Sequence, residues 1–160
     1  MKIAIGNDHR GYDLKVRLVY MLVAMGHEVQ DCGSTNKTDS VDYPDYAELV
    51  CDRIPTQADR GILICGTGIG MSIAANKKHG IRAALVTSIT DARLCHEHNF
   101  CNVMCLPSQF ASSYYDDGFV RQILDGFARH SRPTDRHQRR LDKITDLEVK
   151  WASEWMRANT

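Results

Sequence analysis

The sequence predicts an α/β fold in which a five-stranded parallel sheet is covered by helices on both faces. Short apolar runs alternate with helical patterns along nearly all of the 160 residues. This alternation is typical of parallel strands joined by helices. The third apolar run also leads directly into a glycine-rich turn, Gly66–Gly70, followed by a further helical pattern. Together these features predict a three-layer, Rossmann-like arrangement.

The first third of the chain contains two predicted strands and one predicted helix. The apolar run Lys2–Gly6 predicts the first strand. The segment Tyr12–Met25 has apolar side chains at helical spacing and ends before Gly26, which predicts a helix. His27–Cys32 predicts the second strand, and the polar segment Gly33–Asp42 predicts a loop.

The central part continues the alternation. Pro44 is typical of a first helical turn, and we expect a helix from there to Ile54. Gly61–Cys65 predicts the third strand, Ser72–Lys78 the third helix and Ile81–Val86 the fourth strand. Thr90 is expected to cap a helix that ends at His98.

The last part contains the fifth predicted strand, Asn102–Leu106, and two helices, Ser113–Ala128 and Asp135–Ala158, separated by Pro133. The final helix follows a sheet that is already complete, yet it carries an apolar stripe: Leu141, Ile144, Leu147, Trp151 and Trp155. Such a stripe predicts packing against a second subunit, with packing against its own domain as the alternative.

The composition favours one globular domain over residues 1–160. The chain is 43% hydrophobic and 25% charged, with a formal net charge of zero. Zero net charge gives no general affinity for nucleic acid or membranes, and no apolar run is long enough to span a bilayer. We expect a cytoplasmic protein whose six cysteines are free thiols, because the chain begins with a strand rather than an export signal.

The turn after the third predicted strand combines a cysteine with a potential anion site. Backbone N–H groups of Gly66–Gly70 would point towards one place beside the positive end of a helix. Cys65, at the same place, could act as a thiolate, or could be a buried and inert thiol. The sequence lacks the Lys-Ser or Lys-Thr of a P-loop, the arginine of a phosphatase loop and the glycine spacing of a dinucleotide site.

Three other clusters carry potential chemistry. Asp8 and His9 follow the first strand, where they could bind a sugar or transfer protons, although Asp8 could simply cap a helix. The segment Cys95–Cys105 contains cysteines and histidines but lacks paired Cys-x-x-Cys knuckles, so we expect no metal site there. Arg136 and Arg140 lie four residues apart on one helix face, an arrangement that suits a phosphate or a solvated basic surface.

In combination, these motifs resemble the type B ribose-5-phosphate isomerases, with galactose-6-phosphate isomerase subunits as near relatives. The resemblance covers nearly the whole chain, in the family's order. It rests on Gly6–His9, Asp42–Pro44, Ile64–Gly70, Ser72–Lys77, Gly80–Ala84, His98–Asn99, Asn102–Val103 and Arg136–Arg140.

The resemblance implies a metal-free and cofactor-free aldose–ketose isomerase that acts on a phosphorylated sugar. By resemblance, Cys65 is the base that moves a proton between C1 and C2, and the N–H groups of the turn, including those of Gly66, Gly68 and Gly70, stabilise the enediolate. The resemblance also implies that Thr67 assists at the sugar hydroxyls and that Asp8, His9 and Tyr43 bind the sugar. It implies that His98, supported by Asn99, opens the sugar ring. Arg136 and Arg140 would bind the phosphate, with His137 nearby.

The resemblance also implies that each active site is shared between two subunits of a homodimer, with assembly into tetramers left open. One subgroup of the family uses a glutamate after the glycine turn as its base. Here Met71 stands at that position, so Cys65 indicates the cysteine subgroup. Many members have an arginine in the loop after the fifth strand, where this chain has Gln109.

Three alternatives remain from the sequence. The substrate could be a six-carbon sugar phosphate such as allose or galactose 6-phosphate. The domain could bind sugar phosphates or nucleotides without catalysis, although a pure binding domain has no need of a thiol base. It could also sense redox state through Cys65, but no resolving cysteine is evident nearby in the sequence.

Overall fold

The chain forms a five-stranded parallel sheet in the computed structural model, which describes residues 1–129 and 133–159. The strand order is β2-β1-β3-β5-β4, and every neighbouring pair is parallel. The strands are Lys2–Asn7 (β1), Glu28–Asp31 (β2), Arg60–Cys65 (β3), Ala83–Leu85 (β4) and Val103–Pro107 (β5). The α/β class and the parallel five-stranded sheet predicted from the sequence are confirmed.

Helices connect the strands and cover both faces of the sheet. They are Tyr12–Ala24 (α1), Tyr43–Cys51 (α2), Ile69–Ala75 (α3), Ile89–Asn99 (α4), Asp117–Ala128 (α5) and Asp135–Ala158 (α6). Two short 3-10 turns, His9–Gly11 and Ser108–Ala111, follow β1 and β5.

The central strand β3 separates two hydrophobic cores. Ile62 and Ile64 pack on one face with residues of α1, α4 and α5, whereas Leu63 and Cys65 pack on the other face with residues of α2 and α3. Successive side chains of a strand point to opposite faces, so a strand buried on both sides is apolar along most of its length. This requirement accounts for the continuous apolar run that precedes the glycine turn.

Three helix starts differ from the sequence predictions by two or more residues. Helix α3 begins at Ile69 rather than Ser72, because Gly68 caps it in the left-handed conformation, with φ of 76°. Helix α4 is capped by Ser88 rather than Thr90, since the Ser88 hydroxyl accepts the Asp91 N–H. Helix α5 begins at Asp117 rather than Ser113; the side chain of its cap, Asp116, accepts the Phe119 N–H.

Helix α6 spans the predicted residues, and its two ends differ in burial. Near its start, His137 and Leu141 are buried. Further along, the apolar stripe is exposed: Ile144 by 42%, Leu147 by 39%, Trp151 by 59% and Trp155 by 67%. Ile144, Leu147 and Trp151 also line a cavity with Ile81 and Arg82 of the same chain, so the stripe is only partly uncovered. Among the described residues, no helix is both long and apolar enough to cross a membrane.

Candidate active site

The turns that follow β1, β3 and β5 lie side by side, because these three strands are neighbours in the sheet. The backbone N–H of Asp8 donates to the Ile64 carbonyl at 3.1 Å, which holds the first turn against the end of β3. The Ser108 hydroxyl donates to the Gly66 carbonyl at 3.3 Å, which does the same for the third turn. The carboxyl edge of the sheet is therefore a single surface with Cys65 at its centre.

Cys65 is the last residue of β3 and is only 5% exposed. Its Sγ accepts a hydrogen bond from the Gly68 backbone N–H at 3.2 Å. This contact fixes the sulfur beside the start of α3. The geometry suits Cys65 for use as a base.

The start of α3 also provides donors for a ligand. In any helix the first N–H groups have no partner within the helix, and here these include the N–H groups of Gly70 and Met71. Thr67 is exposed, and its hydroxyl accepts the Ile69 N–H at 3.3 Å, which helps to fix the turn. An oxyanion held beside Cys65 would thus meet several backbone donors.

The turn requires glycine at position 68, and we expect Gly68→Ala to lower the melting temperature more than Gly80→Ala. Both glycines have positive φ, 76° and 78°, so each alanine carries a conformational cost of about 1–2 kcal/mol. A Cβ on Gly68 would also lie 2.6 Å from Leu85 Cδ1, whereas no atom lies within 4 Å of one on Gly80. Thermal unfolding of the two variants measures the difference, and equal losses would contradict a packing role for Gly68.

Asp8 and His9 are both fixed by backbone contacts. Asp8 is 6% exposed, and its Oδ1 accepts the N–H groups of Arg10 at 2.9 Å and Gly11 at 3.0 Å. Capping of the 3-10 turn is therefore one role of Asp8. The Val41 N–H donates to His9 Nδ1 at 3.3 Å, which places the proton of a neutral His9 on Nε2. His9 can then donate from Nε2 to a ligand.

Tyr43 begins α2 and lies against the glycine turn. A Cβ built on Gly70 would be 2.8 Å from Cζ of the Tyr43 ring, so the ring covers this glycine closely. Tyr43 is 38% exposed. The carboxyl edge thus brings together Asp8, His9, Tyr43, Cys65, Gly66, Thr67, Gly68 and Gly70.

The remaining predicted site residues form a second group elsewhere. The rings of His98 on α4 and His137 on α6 are 4.6 Å apart between centroids. His137 is 7% exposed, and neither of its ring nitrogens has a hydrogen-bond partner among the described residues. Burial, and then the positive charges of His98, Arg136 and Arg140, lower the pKa of His137. The exposed Asn99 adjoins this group.

The two groups lie at opposite edges of the sheet. Helix α4 begins after Ser88, at the carboxyl edge, and returns to the amino edge, where Asn99 precedes β5. The five residues of β5 alone separate the two edges by about 16 Å. A side chain of His98 therefore cannot reach a substrate held at Cys65 of the same chain.

Several residues of the recognised motifs have structural roles that the sequence did not reveal. The side-chain amide of Asn76 accepts the Ala83 N–H at 2.9 Å and donates to its carbonyl at 2.8 Å, which holds edge strand β4. Asn102 accepts the Arg82 N–H at 2.8 Å and donates to the Gly80 carbonyl at 2.9 Å. No sequence pattern distinguishes such amides from ligands, since both are polar residues beside a turn.

The cysteine- and histidine-rich end of α4 is also occupied by internal contacts. The Cys95 thiol donates to the Ala92 carbonyl at 3.4 Å, and the neighbouring Cys101 thiol is the largest cause that lowers the pKa of Cys95. Arg60 Nη2 lies 2.8 Å from His96 Nε2, within hydrogen-bonding distance. Within residues 1–129 and 133–159, no group of three or more acidic, histidine or cysteine side chains is placed to hold a metal ion.

Comparison with known proteins identifies a family for this chain. The family model described as Ribose/Galactose Isomerase matches residues 3–144. Ribose-5-phosphate isomerase B of Escherichia coli is 41% identical over 148 residues, which cover 92% of this chain and 96% of that protein.

Solved structures of similar proteins share the fold. The ribose-5-phosphate isomerase B of Clostridium thermocellum superposes with a TM-score of 0.86 at 41% identity, covering 94% of this chain and 99% of that one. The Mycoplasma genitalium enzyme, solved with bound ribulose-5-phosphate, gives a TM-score of 0.83 at 41% identity, with coverage of 92% and 96%. By sequence and by fold, the chain belongs to the ribose/galactose isomerase family.

Proposed function

We propose that the chain interconverts D-ribose 5-phosphate and D-ribulose 5-phosphate through an enediolate, with Cys65 as the base. The proposal rests mainly on the environment of Cys65. This residue is buried at the end of the central strand, and its sulfur accepts a hydrogen bond from the Gly68 N–H. The similar proteins named above support the substrate, because they carry the name of this enzyme and one of them holds ribulose-5-phosphate.

The proton transfer follows from the geometry at Cys65. The thiolate removes the proton from C2 of the open-chain aldose, and the electron pair moves to the carbonyl to give an enediolate. Backbone donors of Gly66–Gly70 stabilise the negative oxygen. A proton moves from O2 to O1 in the enediolate, and the Cys65 thiol then returns its proton to C1, which gives the ketose. The exposed hydroxyl of Thr67 lies in the same turn and assists at the sugar hydroxyls.

The sugar is held by the residues that surround the turn. Asp8 Oδ1 already accepts two backbone N–H groups, so its other oxygen accepts from a sugar hydroxyl. His9 donates from Nε2, the nitrogen opposite its contact with Val41. Tyr43 lines the pocket where its ring covers Gly70. These three side chains restrict the open-chain sugar to one orientation relative to Cys65.

The second group of residues acts from another subunit. His98, supported by Asn99, opens the sugar ring by acid–base catalysis, and Arg136 and Arg140 bind the phosphate. His137 packs against His98, and its lowered pKa keeps it neutral near pH 7. Its two unpartnered, buried ring nitrogens are suited to a donor or acceptor supplied at a subunit contact.

A homodimer is therefore the minimum active unit in this proposal. Two observations support it: the two groups lie at opposite edges of one sheet, and the exposed stripe of α6 has apolar residues available to cover a partner. In a symmetric dimer the same patch of each subunit contacts the other, so each dimer gains two complete sites. Pairing of dimers into tetramers stays an open part of the proposal.

The proposal also covers the extent of the domain and the cellular compartment. We assign residues 1–160 to one sugar-phosphate isomerase domain that ends in a dimerisation helix. All six cysteines are free thiols, and free thiols favour a reducing compartment such as the cytoplasm.

The test is a coupled assay of the purified protein, without added metal, on ribose 5-phosphate beside allose 6-phosphate and galactose 6-phosphate. We expect turnover of ribose 5-phosphate with the highest kcat/KM, unchanged by a chelator. A higher kcat/KM for a six-carbon sugar phosphate would show that the substrate is that hexose phosphate rather than ribose 5-phosphate. Absence of turnover on every sugar phosphate, together with retained binding, would instead indicate a non-catalytic binding domain.

A further inference from the structure

The side chain of Arg10 lies at the centre of the carboxyl edge, and none of the roles described so far uses it. Its backbone N–H is fixed by Asp8 Oδ1 at 2.9 Å. Its guanidinium rests on Gly66: a Cβ built on this glycine would be 3.1 Å from Arg10 Nε and 3.3 Å from Cζ. Gly66 directly follows Cys65, so the guanidinium reaches the turn that carries the proposed base.

Arg10 also differs from the neighbouring cations, because its side chain has no partner among the residues that the structure describes. Lys15 donates to Asp31 at 2.7 Å, and Lys37 pairs with Asp13 at 3.1 Å. Arg17 is bound by Asp117 and by two backbone carbonyls. The side chain of Arg10, by contrast, is exposed and makes no hydrogen bond or ion pair with any described residue. Its donors remain available to an anion.

The neighbouring loop adds no charge of its own. The bond from Ser108 to the Gly66 carbonyl brings the 3-10 turn Ser108–Ala111 against the same glycine. The next residue, Gln109, is exposed and neutral. Asp8, which is also at this edge, is acidic. Among the described residues of the turns after β1, β3 and β5, Arg10 is therefore the side chain that offers a positive charge to an anionic ligand.

We propose that Arg10 binds the phosphate group of the substrate, from the same subunit that supplies Cys65. This inference rests on the proposed isomerase function. A guanidinium binds phosphate through two parallel N–H donors, and no competing carboxylate pairs with this one. The phosphate would then be held between Arg10 of one subunit and the arginine pair of α6 from the other. Gly66 is required beneath the guanidinium, since a side chain there would displace it.

The test compares Arg10→Gln and Arg10→Lys with a control, Arg121→Gln, which removes an exposed arginine paired with Asp125 on α5. We measure kcat and KM for ribose 5-phosphate and the inhibition constant of inorganic phosphate. For Arg10→Gln we expect KM and the inhibition constant to rise about 10- to 100-fold, because one charge-assisted contact to the phosphate is lost. The value of kcat should change little. Arg10→Lys keeps the charge but loses the paired donors and should be intermediate; Arg121→Gln should match the wild type.

The outcomes separate this inference from the proposed function. Unchanged phosphate inhibition in Arg10→Gln would overturn the phosphate role, even if the wild type isomerises ribose 5-phosphate. A loss confined to kcat would overturn it too, because it would assign Arg10 to the chemical step. If the wild type turned over no sugar phosphate, calorimetric titration with inorganic phosphate would still test whether Arg10 binds phosphate. Weaker phosphate binding by Arg10→Gln would support the inference while the isomerase proposal failed.

Discussion

Replacement of Cys65 by serine is expected to abolish isomerisation while substrate binding persists. Serine keeps the size of the side chain and an oxygen that can accept the Gly68 N–H, but a hydroxyl does not ionise near neutral pH. General base catalysis contributes about 10²- to 10⁴-fold, so kcat should fall by about that factor. The coupled assay measures kcat, and calorimetric titration with ribose 5-phosphate measures the dissociation constant, which should change little.

Cys32→Ser is the matched control. Cys32 is half-buried, its thiol donates to the Gln30 carbonyl at 3.5 Å, and burial raises its pKa. It should therefore be inert, and its loss should leave kcat unchanged. If Cys65→Ser retained wild-type kcat, or lost binding as completely as turnover, Cys65 would not be the base.

Mixing two inactive variants is expected to restore activity. In Cys65→Ser dimers every site lacks the base, and in His98→Gln dimers every site lacks the proposed ring-opening residue. A mixed dimer, however, has one site with both residues intact if each site takes Cys65 from one chain and His98 from the other. Random exchange makes half of the dimers mixed, so activity should return to roughly a quarter of the wild type.

The measurement is turnover after the two variants are co-expressed with different affinity tags and the doubly tagged dimers are isolated. Those dimers should show about half of the wild-type activity per dimer, because one of two sites is complete. Sites built within one chain would give no recovery, since each would still lack one residue. The separate variants, handled in the same way, are the control for incomplete loss of activity.

The sequence predicted the sheet well because burial on both faces leaves a clear pattern. The strand β3 is apolar from Gly61 onward, and its end at Cys65 was predicted correctly. Helix starts were less predictable where a glycine or a neighbouring side chain decides them. Gly68 can cap α3 only because it adopts positive φ, and Ser88 and Thr90 were both acceptable caps two residues apart.

The composition of the candidate site could be inferred from motifs, and the resemblance implied sites shared between subunits, but the motifs did not indicate which residues belong to each of the two groups. That division depends on the direction of α4, which carries His98 and Asn99 away from the edge where Cys65 lies. The position of Arg10 on Gly66 was equally hidden, because two residues 56 positions apart in the sequence meet only when β1 and β3 pair. Contacts of this kind follow from topology, which local patterns do not encode.

Helix α6 combines the arginine pair in its first turns with the exposed apolar stripe in its later turns. Its 24 residues form one rod of about 36 Å, so the two ends move together. If sites are shared between two subunits as proposed, substrate binding and subunit association are linked equilibria, and each strengthens the other by the same factor. Dilution alone would weaken the apparent affinity for sugar phosphate, and a saturating phosphate ligand would stabilise the dimer. The concentration of the protein would thereby set how tightly it holds its substrate.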